Sequence, residues 1–346
     1  MVFKGAYTAI ITPFKKNGQL DREGLAALTD FQVENDIEGI VATGTTGESP
    51  TLTWSEHINV IKNTYTRAGS RVFVIAGTGS NSTEEALEGT KKSHDIGVRA
   101  VLLVDPYYNG PSSLEIRKEY VEPIAGTFPD VQIIPYIIPG RTGTQIHPQD
   151  LAKLSNEYPN VKTVKEATGN LENVKQIRKL CGEGFSILSG DDDRTLLLMT
   201  DPEVRADGVI SVTSNVAPAA VRKMVKALAN GRGQEGEALA GGLKPLFDLV
   251  TVKTVEETRY GPVEVKARNP LPYKTLMQIL GMPSGPCRRP LGRMTRKGLE
   301  VVLSKARDVY EKSPEILEPI ATFFDIDVHE RLFQEKRWHG LTYDGY

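Results

Sequence analysis

A (β/α)8 barrel carrying a C-terminal helical appendage is the fold class the sequence predicts, and three observations point to it. Eight short runs rich in β-branched residues alternate with stretches of helical period, one unit per roughly 20 to 35 residues, which is the rhythm of a strand-helix barrel. No Gly-x-Gly-x-x-Gly follows the first run, and a doubly wound sheet, the main alternative, would stop more naturally at about five or six strands. Beyond the eighth run, strand patterns give way to helical ones.

The first strand is expected over residues 6–11, ended by Thr12-Pro13, and an amphipathic helix over 22–36 follows with Leu25, Leu28, Phe31 and Val33. A second strand over 37–41 leads through a Gly/Thr loop to a helix over 54–65. The third, over 72–76, leads to a helix that Ser82 and Glu85 open as a capping box. Strands over 98–104, 131–136, 161–165, 185–188 and 208–212 complete the eight. Later helices are expected over 217–230, 235–252, 270–280 and 294–310, with a charged hairpin or loop over 251–268 around Tyr260-Gly-Pro262. These divide the chain into a barrel (1–230), a helical domain (231–312) and an extension (313–346), whose late aromatics, Trp338 among them, predict that it packs down.

Composition narrows the classes. With 346 residues, 39% hydrophobic and 25% charged, the chain is an ordinary folded protein. A net charge of −2 leaves no basic excess for a phosphate backbone, so nucleic acid is not an expected partner. No apolar run approaches the ~18 residues a membrane span needs, and Met1-Val-Phe-Lys-Gly lacks a signal peptide's apolar middle, so a cytoplasmic protein is expected. Cys181 and Cys287 are far apart and read as free thiols, and the scattered histidines form no ligand spacing, so no metal is expected.

Candidate chemistry gathers where the strands end. Val161-Lys-Thr-Val-Lys-Glu-Ala-Thr-Gly169 puts Lys165 at the carboxyl end of the sixth strand, where barrel active sites are built. A lysine kept neutral by burial can form an imine with a carbonyl substrate; the plainer alternative is an ion-paired surface lysine. Lys162, three residues earlier, faces the other way by the strand period. Gly44-Thr-Thr-Gly-Glu48 offers amides and hydroxyls for a carboxylate or phosphate, though such loops are often only turns. Tyr136 and the tyrosines of Pro106-Tyr-Tyr-Asn-Gly-Pro111 are proton-relay candidates or packing residues, and Arg141 is a carboxylate clamp or a solvated arginine. Asp191-Asp-Asp193 reads as helix N-capping after Gly190.

Three loops in this order, Gly-Thr-Thr-Gly-Glu, Tyr-x-x-Pro-Gly-Arg-Thr-Gly and Val-Lys-Glu-Ala-Thr-Gly, resemble the dihydrodipicolinate synthase family from about residue 3 to 306. That family belongs to the pyruvate-dependent, Schiff-base-forming aldolases, which also include N-acetylneuraminate lyase. The resemblance implies condensation of pyruvate with L-aspartate 4-semialdehyde in lysine and diaminopimelate biosynthesis, without a metal or organic cofactor. It implies that Lys165 carries the imine and that Tyr136 passes protons with Thr46 and Tyr108, the last reaching across from a neighbouring subunit. Thr45 and Thr46 would hold the pyruvate carboxylate and Arg141 that of the semialdehyde, while the carbonyls of Gly190 and Ile210 would line the pocket. A homotetramer built as a dimer of dimers is implied. So is an inhibitory L-lysine site at Ser49, Leu52, Trp54, His57, Asn81, Glu85 and Tyr107. Where the family usually has asparagine after the strand-five tyrosine, this chain has Ile137, which puts the hydrogen bonding around Tyr136 in question. The alternatives are a keto-sugar-acid aldolase using the same imine and a non-catalytic lysine-binding barrel.

Overall fold

The structure, a computed structural model, describes residues 3–346. Eight parallel strands close into a barrel in chain order: β1 Gly5–Ala9, β2 Gly39–Ala42, β3 Phe73–Gly77, β4 Ala100–Val104, β5 Gln132–Ile137, β6 Thr163–Glu166, β7 Ser186–Ser189 and β8 Gly208–Ser211. The expected strands therefore stand within a few residues of their predicted ends. β8 returns to β1, with Gly208 opposite Gly5. The backbones meet so closely there that a β-carbon on Gly208 would lie 1.9 Å from the Gly5 carbonyl oxygen.

Strand alternation sorts the side chains into two shells. Tyr7, Val41, Ile75, Leu102, Ile134, Tyr136, Leu188 and Ile210 fill the barrel interior, whereas Ile133, Ile137, Val164 and Ile187 pack outward against the helices. Ile137 is thus part of the outer shell, on the face opposite Tyr136, and does not line the catalytic interior. Lys165 is the inward neighbour of Val164 on the same alternation, and Lys162, on the other face, donates to the Ser155 carbonyl.

The capping box expected at residue 82 is half-formed. Ser82 accepts from the Glu85 amide at the start of helix Thr83–Ile96, but the Glu85 carboxylate turns to the Ser80 hydroxyl. Complete boxes stand instead at Thr53/Glu56 and Ser112/Glu115.

After helix Pro218–Ala229 the chain forms helix Gly233–Phe247 and then a hairpin, β9 Thr251–Thr258 and β10 Gly261–Arg268. The helix expected to reach residue 252 stops at Phe247, and Val252 belongs to β9. The β-branched, alternating run that starts at Thr251 outweighs helical period there. Helices Leu271–Ile279 and Arg296–Lys312 follow. Their apolar faces join β1, helix Arg22–Glu34 and helix Pro218–Ala229 in one continuous core, which includes Tyr273, Met277, Leu299 and Val302. The extension packs down as expected. Phe323 and Phe324 lie 5.3 Å from the Phe31 ring, and the Trp338 indole donates to the Arg331 carbonyl. Among the described residues no helix is long and apolar enough to cross a membrane.

Candidate active site

Lys165 is held inside the barrel mouth, 4% exposed, with Nζ 4.1 Å from the centre of the Tyr136 ring on the adjacent strand. Among the described residues its amine has no hydrogen-bond acceptor. Burial pulls its pKa down to about 8; Asp191 and Asp192 pull the other way, and Arg141 adds to the lowering. A lysine so placed keeps on the order of a tenth of its amine free at pH 7, far more than an ordinary lysine, and that is the form a carbonyl substrate needs. Gly190 leaves room for it, since a β-carbon there would come within 3.1 Å of Lys165 Cε and 2.8 Å of Ala167 Cβ. Ile210 is buried in the interior layer beneath.

The Tyr136 phenol is raised well above its usual range by burial and stays protonated; of the loop's two threonine hydroxyls, that of Thr45 is the one that weighs on it. This corrects the expectation that Thr46 serves the phenol. Thr46 is buried, and its Oγ1 accepts from Asn269 Nδ2 at 2.9 Å. The loop takes positive φ at Thr43 and Glu48, on either side of the two threonines. The loop is also anchored from beneath. Glu48 is fully buried, with Lys274 Nζ at 2.6 Å from Oε1 and the Arg288 amide at 2.8 Å from Oε2.

Asp191-Asp-Asp193 was expected to cap a helix. Asp192 instead accepts from the Ser211 hydroxyl and from the Val212 and Thr213 amides, so it fixes the turn after β8. Asp191 makes no such bonds; burial raises its pKa to about 6, and Lys165 is the main influence opposing that.

Arg141 stands at the rim. Solvent reaches its side chain, yet protein crowds it enough that desolvation is the main pressure against its charge. Its Nη2 donates to the Asn269 carbonyl at 3.1 Å, and Arg268 Nη1 donates back to the Gly140 carbonyl at 3.0 Å. The two loops are thereby latched together by a reciprocal pair of guanidinium bonds.

A cavity of about 520 Å³ opens from Thr45, Tyr136 and Arg141 to Ser49, Leu52, Trp54, His57, Asn81, Glu85 and Tyr107, the candidate inhibitor residues. The Trp54 and His57 rings lie 4.8 Å apart, tilted by 32°, and His57 Nε2 bonds the Gly77 carbonyl at 2.6 Å. Burial lowers the His57 pKa to about 4, so the ring is neutral at physiological pH and donates. Asn81 Oδ1 accepts from the Tyr107 and Tyr108 amides at 2.8 and 3.0 Å. Tyr108 itself is 72% exposed. No cluster of three metal-type ligands occurs among the described residues.

Sequence reading had not singled out Asn269, Lys274 or Arg268. One signal was available for Lys274, a charge inside the apolar run Tyr273 to Met277. None was available for Asn269, whose partner lies 223 positions away.

The model of the dihydrodipicolinate synthetase family matches residues 2–307. The 4-hydroxy-tetrahydrodipicolinate synthase of Syntrophus aciditrophicus is 43% identical over 299 residues, covering 86% of this chain and 96% of that protein. The solved 4-hydroxy-tetrahydrodipicolinate synthase of Methylacidiphilum fumariolicum SolV superposes with a TM-score of 0.83 at 38% identity, covering 92% of this chain and 99% of that one. The lysine-bound enzyme of Cyanidioschyzon merolae superposes with a TM-score of 0.80 at 35% identity, over 89% and 98%.

Proposed function

This chain belongs to the dihydrodipicolinate synthetase family, and on that premise we propose that Lys165 is the residue that forms the imine with pyruvate. The reaction condenses pyruvate with L-aspartate 4-semialdehyde to give 4-hydroxy-tetrahydrodipicolinate, a step of lysine and diaminopimelate biosynthesis. The observation that carries the assignment is a buried lysine whose amine has no acceptor and whose pKa is pulled down to about 8.

The Lys165 amine adds to the pyruvate keto carbon, and water leaves as the imine forms. The iminium draws electrons from the adjacent methyl, which loses a proton to become an enamine. That enamine attacks the aldehyde carbon, and the new alkoxide takes up a proton. The ring closes when the acceptor's amino group displaces Lys165 from the former keto carbon, returning the free amine. The imine serves as the electron sink, so none of these steps calls on a metal or organic cofactor. Tyr136, held protonated by burial, donates to the oxygen that leaves as water, and Thr45 returns a proton to the phenol. Thr46 and the amides of its loop hold the pyruvate carboxylate, and the carbonyls of Gly190 and Ile210 face the bound ketoacid. Arg141 at the rim holds the carboxylate of the semialdehyde. Tyr108, exposed in its own chain, completes the relay from a second copy, which makes an oligomer part of the machinery; a dimer of dimers is the assembly we expect, in the cytoplasm.

The outer end of the same cavity suits an L-lysine inhibitor. Glu85 faces an ammonium group there, beside the Trp54 and His57 rings and the Ser49, Leu52, Asn81 and Tyr107 positions.

The test is borohydride reduction with pyruvate and mass mapping of the adduct, then turnover with aspartate semialdehyde at rising lysine concentration. An adduct on any peptide other than that of Lys165 defeats the catalytic assignment. Turnover unchanged by millimolar lysine defeats the inhibitory one.

A further inference from the structure

We propose that Arg268, at the end of the β9–β10 hairpin, is a second guanidinium of the acceptor subsite and works with Arg141 on the semialdehyde carboxylate. This rests on the assignment of Arg141 to that carboxylate. The geometry is the reciprocal latch: Arg141 reaches the carbonyl of Asn269, next to Arg268, and Arg268 reaches the carbonyl of Gly140, next to Arg141. Both guanidinium groups therefore lie in the one gap between the β5 loop and the hairpin end. Each uses a single recorded N–H on this latch, which leaves the remaining donors of both planar forks free.

Neither guanidinium has a carboxylate within ion-pair distance among the described residues. Two like charges packed into one partly desolvated gap repel each other, and Arg268 is one of the charges weighing against that of Arg141. An anion between them reverses the sign of that interaction and meets two forks shaped for carboxylate oxygens. The exposed face of the hairpin is mixed, with Glu257 and Glu264 toward its tip and lysines toward its base, next to Arg268. Lys253 and Lys266 stand directly opposite each other on its exposed face, two residues back along β10 from Arg268. Like charges so paired weaken a hairpin, and a basic approach to the mouth for an anionic substrate gives that arrangement a use.

The chemistry fits the acceptor better than pyruvate. Lys165 and the Gly44–Glu48 loop lie deep in the barrel, whereas Arg268 is at the rim, where the second substrate enters. The test compares Arg268→Ala with Arg268→Gln, since glutamine keeps a donor for the Gly140 carbonyl but loses the charge. Both variants are expected to raise the KM for aspartate semialdehyde about five- to twentyfold, with the KM for pyruvate and the rate of borohydride trapping unchanged. The wild-type KM for the semialdehyde is expected to rise with salt more steeply than that of either variant. A purely structural latch predicts that Arg268→Gln keeps the wild-type KM, and that result overturns the proposal. So does an equal rise in both KM values. Failure of wild-type trapping at Lys165 would instead strike the imine assignment and leave the rim comparison standing on its own.

Discussion

Among the described residues two lysines are buried, and their surroundings differ in kind. Lys274, on helix Leu271–Ile279, sits at the seam between barrel and appendage with 0% exposure. Its three donors reach Glu48 at 2.6 Å, the Pro286 carbonyl at 2.9 Å and the Thr12 carbonyl at 3.0 Å. Lys165, at the barrel mouth, is nearly as buried, but among the described residues its amine has no hydrogen-bond acceptor; it lies over the face of Tyr136, with Asp191 and Asp192 acting on it only through space. Burial lowers the pKa of both, but at Lys274 the Glu48 carboxylate opposes that shift directly. A buried ammonium with all its donors satisfied is a structural rivet. One without acceptors is uncomfortable as a cation and reactive as an amine, so burial by itself does not mark a catalytic lysine.

The sharpest way to break the comparison is to remove each amine. Lys165→Ala is expected to abolish the pyruvate adduct and to cut kcat/KM by roughly a thousandfold or more, the scale for losing a covalent nucleophile. Its unfolding midpoint should hold or rise. Lys274→Met is expected to do the reverse. It leaves the buried Glu48 charge without its cation, which costs about 3–5 kcal/mol, read as a lower denaturation midpoint, while the folded fraction still traps pyruvate. Adding Glu48→Gln should restore part of that loss, and an additive double variant would show that the pair is not coupled.

pH separates the two by a smaller effect. With a Lys165 pKa of about 8, trapping should rise with pH through that value and then level off. The linkage has the matching sign. Above pH 8 the folded protein has released this proton, while the unfolded chain holds it to about 10.4, so this group adds stability as pH rises across that window. In Lys165→Met the stability gain over pH 8 to 10 should shrink, and an unchanged slope would contradict the lowered pKa.

The smallest expected effect concerns the loop that Lys274 anchors through Glu48. Asn269→Ala removes the donor to Thr46 Oγ1 and should raise the KM for pyruvate about fivefold, the loss of a single hydrogen bond worth roughly 1 kcal/mol. A change in the semialdehyde KM alone would place Asn269 with the rim instead.

Much of this architecture was legible in the chain. β-Branched runs and helical periods are local signals, and they located all eight strands, the hairpin and the packed extension. The order of the three loops pointed to the family, and strand alternation put Lys165 inside and Lys162 outside. Other assignments failed for one physical reason. Thr45 and Thr46 are adjacent and chemically identical, so only the folded loop decides which one lies near Tyr136 and which one meets Asn269. Asp192 looked like a cap because the turn it holds, at Val212 and Thr213, comes some 20 residues later.

By itself, then, the sequence determined the barrel, the place of Lys165 at its mouth and the class of chemistry, because these follow from short-range periodicity and from motifs a few residues long. The tertiary structure decided which buried lysine is free, which threonine meets the phenol and that Arg268 stands beside Arg141. Each of these depends on a partner brought from far along the chain, and a hydrogen bond across more than 100 residues leaves no trace in local pattern.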